Sequence, residues 1–437
     1  MVFMRLICNF AITNANQATL SSVQSLLKIK KMSKRILTLM AIMTIALAAS
    51  AQKQFGITLT NESKVAVPNY PVSITLSKYG NDIRSAKVTD NGVEIPCQLD
   101  DLDGDGIYDE LFLLTDLGKK GKKSLQVTLF NEGTPREYPS KVYVDMMLTN
   151  KKIKESNKQD LYISQLTVDR GVNPYSMLHH HGAAFENEMV AYRIYFDHRQ
   201  TVDIYGKYRK GLELKQTQFY PDQAQKDAGF GDDVLWVGNT LGVGTLRGWD
   251  GNEPTMISDV EHRGQRLVAR GPLRTIVEVK DQAWRQQPTD KPVDMTTYYT
   301  LYAGRRDCRV DVLFGRQVND LKFATGLINV KNSTEFSDKQ GLRGCWGTDW
   351  PVSEKDSTGH KRETVGLGIC LPSHHVESEL PANKDNYPYV VKADNDRLSY
   401  YITFCSDNET FGMHSAKDWF AFLEEWKQML NAKVRME

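Results

Sequence analysis

The sequence predicts a mainly β fold: a small N-terminal β-sandwich domain running into a large antiparallel β-sandwich that ends in one helix. Three observations carry this. Apolar and polar residues alternate with period two over short runs; Gly, Asn and Asp turns separate the runs; helical spacing is scarce before about residue 415.

Taken from the start, residues 1–31 carry no targeting pattern and read as a mis-called upstream extension, because Met32-Ser-Lys-Arg35 begins a complete signal of its own. Its basic start leads to an apolar stretch, Ile36–Leu47, and to Ala49-Ser50-Ala51, so 32–51 is expected to be a signal peptide cut before Gln52. The apolar stretch is short for a membrane span, and nothing later reaches the roughly 18 apolar residues a spanning helix needs. No stable membrane insertion is expected, and the mature chain is placed in the periplasm or secreted. Cleavage removes six basic and no acidic side chains from a chain with 55 basic and 54 acidic ones, leaving a balance near −5. That excludes a basic stripe for nucleic acid. Five scattered cysteines remain, an odd number that reads as buried apolar thiols rather than a disulfide framework.

Residues 52–140 form the small β domain, with strands such as Phe55–Thr60, Val93–Leu99, Leu111–Leu114 and Ser124–Phe130. The pattern continues through 141–437. Strands are expected at Val190–Phe196, Val202–Tyr205, Leu267–Ala269, Arg274–Val279, Thr296–Ala303, Arg309–Phe314, Val365–Leu371 and Ser399–Phe404. At the end, Ser415-Ala-Lys-Asp418 opens a helix whose Trp419, Phe420, Phe422, Leu423, Trp426, Met429 and Leu430 recur at helical spacing and belong to its packed face.

Four stretches could carry chemistry. In Asp101-Leu-Asp103-Gly-Asp105-Gly106-Ile-Tyr-Asp109, alternate carboxylates and a turn glycine follow the start of a calcium loop, which makes Asp101, Asp103, Asp105 and Asp109 candidate ligands of a structural calcium. Phe112 stands where such a loop ends in a bidentate Glu, and strands flank it, so the same residues also read as an acidic hairpin tip. Next comes His179-His180-His181, placed just before a strand, where His180 or His181 would serve as acid or base.

Along that strand, period two sets Arg193 and Tyr195 on one face and Tyr192, Ile194 and Phe196 on the other. The following run sets Asp203, Tyr205 and Lys207 with the polar group and Val202 and Ile204 with the core. Such a wall of guanidinium, phenol and carboxylate suits an acidic sugar, although a cross-strand charge ladder would look the same. The fourth stretch runs from Asp232-Asp233 to Arg274. Its glycines lack the strand-turn-helix setting of a dinucleotide fingerprint and read as close packing. Trp249 and Trp284 are candidate sugar platforms, and His262, Arg270 and Arg274 a cationic side. No organic cofactor is implied, and nothing in the sequence specifies an oligomeric state.

The stretches DDLDGDGIYDEL, HGAAFENEMVAYRIYFDHRQTVDIYGK, DDVLWVGNTLGVGTL, RGPLR and DWFAFL together resemble the domain-of-unknown-function family 4861 over nearly the whole mature chain. The resemblance implies the β-supersandwich of galactose-mutarotase-like carbohydrate-active proteins, of the kind met in polysaccharide-utilisation clusters that handle uronate-containing plant glycans. It transfers no catalytic residue. The function expected is a lyase or hydrolase acting on an acidic oligosaccharide or polysaccharide substrate. In a lyase, Arg193 or Arg274 would neutralise the uronate and Tyr195, Tyr205, His180 or His181 would take the adjacent proton. In a hydrolase, two of Glu186, Glu188, Asp203 and Asp233 would flank the bond. A non-catalytic glycan-binding protein and a sugar epimerase are the alternatives.

Overall fold

The computed structural model describes residues 52–218 and 220–437. The expected extension 1–31 and signal peptide 32–51 lie outside the described residues. What is described is the mainly β architecture the alternation predicts: two stacked-sheet cores and a C-terminal helix.

The small sandwich sets a five-stranded sheet, in the order Val434–Met436, Gln52–Asn61, Lys122–Phe130, Ser85–Asp90 and Val93–Ile95, over a three-stranded one of Val67–Thr75, Glu110–Leu117 and Cys97–Asp100. Leu59, Val88, Leu111, Leu113, Val127 and Leu129 fill the space between. The single strand expected over Val93–Leu99 divides at Pro96, and its two parts join different sheets. Proline has no N–H to give a ladder, so the chain turns its corner there.

In the large sandwich, a nine-stranded antiparallel sheet runs from Gln165–Asp169 at one edge to Thr334–Ser337 at the other. A four-stranded and a second five-stranded sheet share its core, which contains Ile194, Val202, Ile204, Val277, Val310, Leu367, Tyr389 and Ile402. Each large aliphatic side chain so buried contributes roughly 1.5–3 kcal/mol. Every strand expected after residue 190 is present, most extended by a few residues. Leu342–Asp349 was not anticipated, because its two glycines hide the alternation.

Gly344 of this strand and Gly366 of its neighbour Glu363–Cys370 have a packing reason. The Ala416–Leu430 helix, capped by Ser415 Oγ accepting from the Asp418 N–H at 3.1 Å, seals Trp419, Leu423 and Trp426 against the sheet. A Cβ at Gly344 would stand 2.3 Å from Leu423 Cδ1, and one at Gly366 2.7 Å from the Trp419 ring. The strands are bare where the helix lies on them. After the helix, Val434–Met436 returns to pair with Gln52–Asn61.

The sandwiches meet where the 270–274 turn docks on the small one. Gln98 Oε1 accepts from the N–H groups of Leu273 and Arg274 at 3.0 and 3.1 Å, and Phe112, Leu273 and Tyr302 form a small apolar cluster. Cys97, Cys308, Cys345, Cys370 and Cys405 are all buried and unbridged. Among the described residues no helix is long and apolar enough to cross a membrane.

Candidate functional site

The four-stranded sheet, in the order Val202–Tyr205, Ala191–Tyr195, Gly182–Asn187 and Val142–Asp145, presents one apolar and one polar face, as period two requires. Val144, Phe185, Tyr192, Ile194, Val202 and Ile204 enter the large core. Register sets the opposite side: Arg193 lies directly across from Asp203 on one flank and from Ala184 on the other, where a methyl leaves room for a guanidinium.

This face is covered rather than open. Residues 206–218 and 220–233 fold back over it through two short helices, Leu214–Thr217 and Gln223–Asp227. Lys207 Nζ bonds Glu186, whose other oxygen accepts from the N–H groups of Glu213 and Leu214 at 2.7 and 2.8 Å, and the Tyr205 hydroxyl donates to the Gly231 carbonyl. Both Tyr205 and Lys207 are buried. Expected as parts of a cleft wall, they instead pin the covering segment, and a sugar cannot reach them while it is in place. Deeper on the face, Tyr143 donates to Asp145 at 2.9 Å, and burial pushes that carboxyl up to about 7.

Beneath the edge of the cover, Arg193 Nη2 sits 2.6 Å from both Asp203 Oδ2 and Asp233 Oδ1. Tyr195 donates to Asp203 Oδ2 at 2.9 Å, and Asp233 is hydrogen-bonded by Tyr220. Burial pushes the Asp233 carboxyl up to about 7; Arg193 opposes the rise and the Asp203 charge adds to it. Arg193 already holds two carboxylates, so it is not available to neutralise a uronate.

Toward the surface this cluster passes into an aromatic stack. Tyr175 lies flat on His181, centroids 3.8 Å apart, and both meet Tyr195 edge-on. The Arg199 guanidinium rests 4.5 Å from the Tyr175 ring and 5.0 Å from the Tyr195 ring, held by Asp197 at 2.6 Å. His180 and His181 both have left-handed backbones, φ 53° and 60°, a conformation that costs a non-glycine residue and that gathers at functional sites. Burial lowers both imidazoles, His181 to about 4, so both are neutral at neutral pH. The Tyr195 phenol is raised by burial and keeps its proton.

Arg199 also forms part of the wall of a cavity of about 410 Å³, within the usual size of small-ligand sites, roughly 300–1,000 Å³. Arg247 lies at its inner end; Trp236, Asn239, Glu253, Asn383 and Asp385 are exposed around it. The Trp236 indole lies across Gly238, where a Cβ would approach its ring to 3.2 Å. Sequence reasoning missed Tyr175, Arg199, Tyr220, Trp236 and Arg247. Arg247 had a readable signal, since it stands two residues before Trp249 on the same short strand.

The remaining candidates lie elsewhere. Trp284 is fully buried in the core and cannot stack on a sugar, and Trp249, half-buried, is outside the cavity wall. Arg274 bonds Asp100 at 2.7 Å and Glu110 at 2.6 Å and lies over Phe112, which makes it a tie between the sandwiches. Arg270 is exposed beside that junction, and His262 pairs with Asp169 at 3.0 Å on the edge of the nine-stranded sheet. In the acidic turn, oxygens of Asp101, Asp103 and Asp109 all lie within 4.8 Å of one another, while Asp105 accepts from the Ile107 N–H at 2.7 Å.

A family model described as Domain of unknown function (DUF4861) matches residues 59–436. No curated protein matches the chain. Among solved structures, an alpha-mannosidase from Enterococcus faecalis V583 is similar at TM-score 0.43 and 10% identity, over 88% of this chain and 46% of that one. A 4-alpha-glucanotransferase from Thermococcus litoralis is similar at TM-score 0.25 and 10% identity, over 51% of this chain and 39% of that one. The chain thus spans about half the length, or less, of these two structures.

Proposed function

The chain belongs to the DUF4861 family, whose description assigns no activity, and from the chemistry of its site we propose that it is a carbohydrate-active enzyme that cleaves an acidic, uronate-containing oligosaccharide by β-elimination. One observation carries this: the Arg199 guanidinium lines a sugar-sized cavity that has an exposed indole in its wall, and the same guanidinium lies against two phenols, Tyr175 and Tyr195, the first stacked on the neutral His181 imidazole. The galactose-mutarotase-like likeness, the setting in polysaccharide-utilisation clusters and the periplasmic or secreted location of mature Gln52–Glu437 belong to the same proposal.

In this reading Arg199 faces the charge that develops when the proton beside the uronate carboxylate is removed. His181, neutral at working pH, takes that proton. The bond to the leaving oxygen breaks, a carbon–carbon double bond forms in the uronate ring, and Tyr195 protonates the departing oxygen. Arg193 acts one step back, fixing the Asp203 carboxylate that orients the Tyr195 hydroxyl. Hydrolysis is less well supported, since it needs two carboxylates flanking the bond. Asp203 and Asp233 both bond a single Arg193 nitrogen, which fills the space a sugar would need.

The acidic turn is a further part of the reading. Three converging carboxylates are hard donors that suit calcium, and an ion there would tie the Cys97–Asp100 and Glu110–Leu117 hairpin.

The test is incubation of Gln52–Glu437 with a panel of uronate-bearing glycans, following ultraviolet absorbance and product chromatography together. New absorbing ends are expected, and Tyr195→Phe should lower turnover by about 10²–10⁴ with sugar binding retained. Saturated fragments would replace elimination by hydrolysis, and binding without any product would make this a glycan-binding protein.

A further inference from the structure

We propose that Arg247 is the receptor for the carboxylate of an acidic sugar seated in the 410 Å³ cavity, with Trp236 as the platform for the sugar ring. The inference deepens the reading above and rests on this cavity being the sugar site.

Among the described residues six arginines are buried. Five of them, Arg193, Arg263, Arg274, Arg306 and Arg343, hold a carboxylate at 2.6–2.8 Å. Arg247 alone has none within ion-pair distance. It is 1% exposed. Its Nη2 donates to Thr201 Oγ1 at 3.0 Å and to the Thr240 carbonyl at 3.2 Å, both uncharged, and its Nη1 is buried with no hydrogen-bond partner among the described residues. The carboxylate that could have served it, Asp197, is bound by Arg199 at 2.8 and 2.6 Å.

The cavity wall therefore carries two guanidinium groups, Arg199 and Arg247, and the one carboxylate behind them, Asp197, lies outside the wall and is taken by Arg199. The acids of the wall, Glu253 and Asp385, are exposed, and neither comes within ion-pair distance of Arg247. An uncompensated buried cation is costly, because it has lost its water and gained no counter-charge. Burial lowers the Arg247 guanidinium only to about 10, so the charge persists at neutral pH. An anionic ligand group would complete the pairing, and a guanidinium matches a carboxylate in shape as well as charge.

Carboxylate, sulfate and phosphate share this chemistry, and the rest of the wall decides among their bearers. Trp236 is 51% exposed, with its indole laid on Gly238, and offers a flat apolar face next to the anion site. Asn239 and Asn383 add exposed side-chain amides that suit hydroxyl groups. An apolar face, amides and one buried cation describe a hexose ring carrying one acid group.

The decisive measurement is calorimetric titration of Gln52–Glu437 with D-galacturonate, D-glucuronate and their short oligomers, against galactose, glucose, galactose 6-sulfate and inorganic phosphate. Uronates should bind at least tenfold tighter than their neutral counterparts. Arg247→Met should erase that preference with Tm unchanged or raised, because an unpaired buried charge has been removed. Arg247→Lys, which keeps the charge but not the planar fork, should cut the preference to below about threefold and serves if the Met variant fails to fold. Equal binding of acidic and neutral sugars, or an unaltered preference in both variants, would overturn the role of Arg247 while leaving the cavity a sugar site. Tighter binding of the sulfate ester or phosphate would overturn the carboxylate assignment. Absence of any sugar binding would overturn the cavity reading itself.

Discussion

Replacing Asp233 by Asn should change how stability depends on pH, and the size of the change follows from the geometry. The Asp233 carboxyl lies beside Asp203 on a shared Arg193 and is pushed from 3.8 to about 7, chiefly by burial. Below pH 3.8 it is protonated in both the folded and the unfolded chain and contributes no slope. Between pH 3.8 and 7 the unfolded chain has released this proton and the folded one retains it. The folded state then binds more protons, and stability falls as pH rises; above 7 the contribution is flat again. Three pH units at 1.36 kcal/mol each set a ceiling of about 4 kcal/mol. Asn keeps the shape and takes away the proton. Urea unfolding of wild type and Asp233→Asn at several values between pH 4 and pH 8 measures the difference. The variant should gain on the wild type by up to about 4 kcal/mol across that range. Parallel curves, with a difference constant to within about 0.5 kcal/mol, would refute the assignment of this buried proton.

Other outcomes follow from the same contacts. Lys207→Met leaves Glu186 buried with only backbone N–H partners, and should cost about 3–5 kcal/mol in urea unfolding and open the 206–233 segment to limited proteolysis. Adding Glu186→Leu should recover part of that loss, because the stranded charge goes with it. Calcium at millimolar concentration should raise Tm in the wild type and not in an Asp101→Asn, Asp103→Asn double variant; an equal rise in both would remove the acidic turn as the site.

Much of the fold was legible because alternation is local. Whether a residue faces the core follows from its parity within a strand, and parity placed Tyr192, Ile194, Val202 and Ile204 inward and Arg193, Tyr195, Asp203 and Tyr205 together on the other side. The helical spacing of Trp419, Leu423 and Trp426 likewise gave the helix and its buried face. The strand expected over Val93–Leu99 ran through Pro96, and the change of sheet there depends on partners found in other strands.

Only the tertiary structure decided what each polar group meets. Parity says that Arg193 and Asp203 share a face; it cannot say that 206–233 returns to cover that face, or that Asp233 arrives to bind the same guanidinium. Arg274 reads from sequence like a free cation until Asp100 and Glu110 are brought to it from the small sandwich. The cavity draws its wall from residues 199, 236–241, 247, 253, 254, 256, 383, 385 and 386, positions that no local pattern connects. Charge balance and exposure are sums over neighbours in space. The sequence thus determined which residues stand on the polar side of each strand, and the packing alone determined that Arg247 was left without a counter-charge and Trp236 without a cover.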